Sequence, residues 1–176
     1  MKSSVRHQQS GASLIEVLVA LGLFSVGILA LGVVLSFAVQ LPKLAAYRAT
    51  ATHLASSHVE RIRANPGGNY NSALNYDATF TALQLANCAY PMCTSATLVE
   101  MDSAFTQNAA RTQLPAGGLQ VNCDGVPCAS GNLWIVWQEP STFATLNPST
   151  SDNCPSEVTG KFSTPKPRCL HLKFKI

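Results

Sequence analysis

The side chains of this 176-residue protein that could carry chemistry are few: six cysteines, four histidines and nine acids. The cysteines are Cys88, Cys93, Cys123, Cys128, Cys154 and Cys169, two C-x4-C pairs and a wider third pair. A zinc site wants closer ligand pairs, usually with histidine. His53 and His58 are five residues apart, off a common helix face. No base partner for a cysteine nucleophile stands out. An even cysteine count instead suits an oxidising compartment and disulfides. The sequence does not choose among the possible pairings, but loop-closure entropy favours neighbours, that is 88–93, 123–128 and 154–169. Glu100 and Asp102 flank Met101 and read as a solvated helix surface. No glycine-rich phosphate loop follows a strand. Trp134 and Trp137 read as core, and Lys161, Lys166, Arg168, Lys173 and Lys175 form a patch too interrupted to predict DNA binding. These residues predict no catalytic centre, no metal site and no cofactor.

One carboxylate is out of place. Glu16 is the single charged residue between Ala12 and Gln40, and Val17 to Val39 is a continuous apolar run. Such a run is long enough to cross a hydrocarbon core of about 30 Å as a helix. It is too long for the apolar region of a cleaved secretory signal. Lys2, Arg6 and His7 precede it, a basic flank that stays in the cytoplasm and sends the remainder outside the inner membrane. The net charge of +3 owes much to this flank, so the basic balance is poor support for a nucleic-acid partner. With 47% hydrophobic and only 12% charged residues, the chain is neither disordered nor an ordinary cytosolic domain.

The string Gly11-Ala12-Ser13-Leu14-Ile15-Glu16-Val17-Leu18-Val19-Ala20-Leu21 closely resembles the class III signal of type IV prepilins and pseudopilins. The resemblance implies cleavage by a prepilin peptidase between Gly11 and Ala12, followed by methylation of Ala12. Glu16 then occupies the family's glutamate position, fifth in the mature chain. The family usually has Phe after the cut; this chain has Ala12 there. In a lipid-free filament core a buried carboxylate needs a positive partner, and the freed amino group of a neighbouring subunit supplies one.

Elements that position these residues follow from periodicity. Leu44, Tyr47, Ala51, Leu54, His58 and Ile62 keep helical spacing after the apolar run, with Lys43, Arg48, Thr52, Ser56, Glu60 and Arg63 on the other side. The helix should end near Asn65, before Pro66-Gly67-Gly68, and Pro42 should kink it. Arg61-Ile62-Arg63-Ala64-Asn65-Pro66 resembles a signature of the PilV-type minor pilins, the type IV pilus modification proteins. Arg61 and Arg63 are expected to bridge the helix to the head or to a neighbour. A second helix is expected over 95–112, capped by Thr94, with Leu98, Met101, Phe105 and Ala109 on one side. Three strands follow the Leu114-Pro115-Ala116-Gly117-Gly118 break. The second, with Leu133, Ile135 and Trp137 on one face and Trp134 and Val136 on the other, should be central or lie at an interface.

The expected fold is α+β and pilin-like: a long N-terminal helix packed against a small antiparallel sheet with disulfides. The expected segments are a cleaved leader 1–11, a transmembrane and filament-core helix 12–41, its amphipathic continuation 42–65 and a periplasmic or extracellular head 66–176. The resemblance implies a non-catalytic minor pilin in pilus assembly, adhesion or motility. It implies an inner-membrane and pilus location near the tip, with a prepilin peptidase, major and minor pilins, the inner-membrane assembly platform and a tip adhesin as partners. A type II secretion pseudopilin and a membrane-anchored DNA- or ligand-binding pilin are the alternatives.

Overall fold

The computed structural model describes residues 13–72, 82–89, 91–140, 152, 154–159 and 167–176. Helix α1 runs Leu14–Ala64, α2 Ser95–Gln113, β1 Gly118–Cys123, β2 Ser130–Gln138, α3 Ser156–Thr159 and β3 Pro167–Lys175. The chain divides into two compact units, Met1–Pro42 and Lys43–Ile176.

In the first unit α1 begins with the backbone N–H of Glu16 donating to the Ser13 carbonyl at 2.9 Å. Its large apolar side chains from Leu14 to Leu41 are exposed. The helix is long and apolar enough to cross a membrane. Added side chains at Gly22, Gly27 and Gly32 would meet nothing within 4 Å, so the backbone is bare at three levels.

The second unit is an α+β head. The sheet is antiparallel in the order β1-β2-β3, with Leu119 opposite Ile135, and Ile135 opposite Leu170. The α1 stripe buries Leu44, Ala51, Leu54, Ala55, Val59 and Ile62. Ala51, Leu54 and Ile62 share one core with Leu133, Ile135 and Trp137 from the central strand. Burying an apolar side chain of this size contributes about 1.5–3 kcal/mol, which fixes the sheet on the helix. The opposite sheet face forms a smaller core of Val136, Val158 and Cys169, with Trp134 and Cys154 against it. The fold is therefore the expected pilin-like one, a long helix packed on a three-stranded antiparallel sheet with disulfides.

α1 stops where Pro66 and the following glycines stop it, and α2 starts where Thr94 caps it by accepting from the Thr97 N–H at 3.2 Å. The turn from α2 into β1 depends on Gly117. A Cβ there would lie 2.0 Å from the Ala110 carbonyl oxygen, so no other residue fits without moving the helix end. The left-handed residue of this turn is its neighbour Ala116, at φ 47°.

The buried face of α2 differs from the apolar side expected. The helix buries Asp102, Ala104, Thr106, Gln107 and Ala110, while Phe105 is exposed. The reason is what it packs against: α1 presents Arg61 and His58 here, so the contacting face of α2 is polar.

Candidate functional site

Two features could carry function: the apolar N-terminal helix with its lone carboxylate, and the polar string at the end of α1. They belong to different units.

Gly11 and Ala12 lie outside the described residues. Glu16 lies in the first turn of α1, where the helix dipole favours a negative charge. Its side chain is exposed, and every residue from Leu14 to Val39 is exposed with it. A surface so continuously apolar exceeds what a free soluble helix carries and marks a helix that lies in lipid or against other helices.

In the head, the string Arg61–Pro66 folds into a polar clasp between α1, the segment after it and α2. Arg61 Nη1 donates to Asp102 Oδ1 at 2.9 Å, and the guanidinium stacks over Phe105 at 4.2 Å from the ring centre. Tyr70 donates its hydroxyl to Asp102 Oδ2 at 2.8 Å. Asn65 donates to the Ser95 carbonyl at 2.9 Å and accepts from the Ser95 hydroxyl at 2.7 Å. Ile62 and Tyr70 are fully buried. Gly68 leaves room for this packing, since a Cβ there would crowd Val99, Tyr70 and Asn65. Burial pushes the Tyr70 hydroxyl up to about 12, so it stays a donor throughout the neutral range.

His58 sits below the clasp, fully buried, with Nδ1 2.8 Å from the Thr106 hydroxyl. The Thr106 hydroxyl donates in turn to the Asp102 carbonyl at 3.0 Å. Tyr70 meets the imidazole edge-on at 5.8 Å. Among the described residues Nε2 has no hydrogen-bond partner. Burial drives the imidazole down to about 4, with nearby Arg61 lowering it further and Asp102 opposing. A neutral, buried histidine packed this way serves the fold, not proton transfer.

Several expectations need correcting. Asp102 is not a solvated partner of Glu100: it is buried, because Arg61 and Tyr70 both need its carboxylate. Arg61 bridges helix to head, but Arg63 pairs with Glu60 on its own helix. Arg168 drops out of the basic patch. It is buried at the start of β3, 2.8 Å from Asp152 and 3.8 Å from Glu139. Lys161 and Lys166 lie outside the described residues. Trp137 is core, whereas Trp134 is half-buried on the other sheet face and stacks on His171 at 4.9 Å. Sequence reasoning missed Tyr70, Asn65 and Thr106. The available signal was Asp102 and Thr106 four apart on a helix, opposite an arginine helix end.

The cysteines form three bridges: Cys88–Cys93, Cys123–Cys128 and Cys154–Cys169. The first closes the loop that leads to Thr94, the second the loop between β1 and β2. The third ties the residues before α3 to β3. Among the described residues no cluster of His, Cys, Asp and Glu is arranged to hold a metal.

A family model described as the prokaryotic N-terminal methylation motif matches residues 6–32. No curated protein and no solved structure matches the chain. The signal implies processing by a prepilin peptidase and partners in pilus or secretion machinery, and with the apolar helix it points to the inner membrane or a pilus. The chain carries the class III prepilin signal of the type IV pilin and pseudopilin superfamily, ahead of a pilin-like α+β fold.

Proposed function

We propose that the protein is a non-catalytic minor pilin of the PilV type that takes part in type IV pilus assembly. In this reading residues 1–11 are removed between Gly11 and Ala12, and Ala12 is methylated. Helix 12–41 first anchors the chain in the inner membrane and then enters the filament core. The head, 66–176, lies outside. Major and minor pilins, the inner-membrane platform and a tip adhesin are its partners.

The observation that carries the reading is Glu16, a lone carboxylate on an apolar helix inside the methylation motif. As a membrane helix the segment would be more stable with Val there. As a filament subunit it gains from Glu, because the charge can meet a neighbour's N-terminal ammonium once lipid is gone. Pseudopilins share this device. The resemblance of Arg61–Pro66 to the PilV-type string favours the pilus over the secretion machine.

The test separates stability from incorporation. The Glu16→Val chain should still be cleaved after Gly11, keep its disulfides and remain in the inner membrane. It should be strongly depleted from sheared pili, with loss of piliation or twitching. Quantitative blotting of membrane and sheared fractions reads this. Equal incorporation of both chains removes the role of Glu16.

A further inference from the structure

We propose that the outer edge of β3 at Lys173 and Lys175 docks an extended, acidic segment of a partner protein, which joins the sheet as a fourth strand. The backbone hydrogen bonds of the sheet leave this edge open. In an antiparallel ladder, successive residues turn their N–H and C=O to opposite neighbours. Asp124 N–H donates to the Ser130 carbonyl at 2.9 Å, and Ile176 N–H donates to the Ala129 carbonyl at 2.8 Å. The register sets Cys123 opposite Gly131, and Gly131 opposite Phe174. Even-numbered residues of β2 therefore bond to β1, and odd-numbered ones to β3. On β3, Leu170, Leu172 and Phe174 bond inwards, and Cys169, His171, Lys173 and Lys175 turn their backbone groups out.

Several of the other outward groups are occupied. On β1, Ser72 N–H donates to the Val121 carbonyl, and Val121 N–H donates to Ser72 Oγ, each at 3.0 Å. Cys123 N–H donates to Asn71 Oδ1 at 2.7 Å. On β3, Cys169 N–H donates to Asp152 Oδ2 at 3.3 Å. Among the described residues nothing pairs with the outward groups of Lys173 and Lys175. The β1 edge is held at Val121 and Cys123 and the β3 edge at Cys169, whereas Lys173 and Lys175 stay open among the described residues.

Charge selects the occupant. Both lysines are exposed, and across the ladder they face Asn132 and Ser130. Among the described residues neither lysine forms an ion pair. A second copy pairing antiparallel at this edge would set lysines beside lysines, which edge lysines serve to prevent. A strand with Asp or Glu at alternate positions places its carboxylates on the lysine face, and opposite charges across a ladder favour pairing. Main-chain bonds then supply affinity, and the two lysines supply the choice of partner.

The test uses the full chain in cells, with a photo-crosslinking residue in place of Lys175. The expected product is one adduct to another protein, through a peptide with Asp or Glu at alternate positions. Lys173→Pro removes an outward N–H and spares the inward bonds of Leu172 and Phe174, so it should abolish the adduct while non-reducing mass mapping still finds three disulfides. Lys173→Glu keeps the backbone and reverses the charge, and should lose most of the adduct. An adduct within residues 141–151 or 160–166 of the same chain, an adduct to a second copy, an adduct that survives both variants, or no adduct overturns the proposal.

Discussion

Arg61 on α1 and Asp102 on α2 meet at 2.9 Å, across 41 positions of sequence, and Asp102 holds the Tyr70 hydroxyl with its other oxygen. Removing the arginine leaves a mostly buried carboxylate with one neutral donor. Arg61→Ala should therefore cost about 1–3 kcal/mol. Arg63→Ala breaks only an exposed pair within one helix and should stay within about 0.5 kcal/mol. Denaturant titration of both variants checks this. A double-mutant cycle with Asp102→Ala should return a coupling of about 1–2 kcal/mol for the first pair.

Acid should weaken the head through His58. Its folded value, about 4, lies below the ordinary histidine value of 6.5. Between the two, the unfolded chain binds a proton that the folded chain does not. The contribution is thus complete above pH 6.5 and is lost as pH falls toward 4, about 3 kcal/mol in all. Urea midpoints at pH 7.5 and 4.5 should differ more for the native protein than for His58→Gln, which cannot titrate. Equal differences would remove His58 from the account.

Gly117→Ala should destabilise by about 3 kcal/mol, because its Cβ has no room against the end of α2. Gly125→Ala is the matched control, since a Cβ there would meet nothing within 4 Å. Thermal unfolding of the two variants separates crowding from a general loss of glycine freedom.

Processing is tested at the other end of the chain. Gly11→Ala should leave a precursor heavier by the leader and retained in the membrane. Mass spectrometry of the native N-terminus should begin at Ala12. A chain that starts at Met1, or one cut beyond residue 30, contradicts the prepilin signal.

What the sequence made legible depended on periodicity. The α1 stripe from Leu44 to Ile62, the stop before Pro66, the Thr94 cap and the central position of the strand with Leu133, Ile135 and Trp137 all follow from local patterns. The motif at the N-terminus is local too. The clasp was not legible, because its members come from three separate stretches. Asp102 looks like a surface acid on its own helix, and only the approach of Arg61 and Tyr70 makes burial favourable. The exposed Phe105 is the same failure reversed: an apolar stripe implies a buried face, but the guanidinium of Arg61 covers one side of its ring and leaves the rest in water. Arg168 is a third case. Its surroundings in sequence are basic and proline-rich, whereas its partners, Glu139 and Asp152, lie well upstream.

The joining of Cys154 to Cys169 has a consequence for how the protein withstands proteases. The bridge closes a loop, and Asp152, two residues before Cys154, also holds the far end through Arg168 and the Cys169 backbone. A single cut between residues 155 and 168 severs the chain but frees neither piece. β3 keeps its place in the sheet, and the nicked molecule migrates as one species until a reductant parts it. Where thiols are scarce, a single clip in that segment leaves the head in one piece.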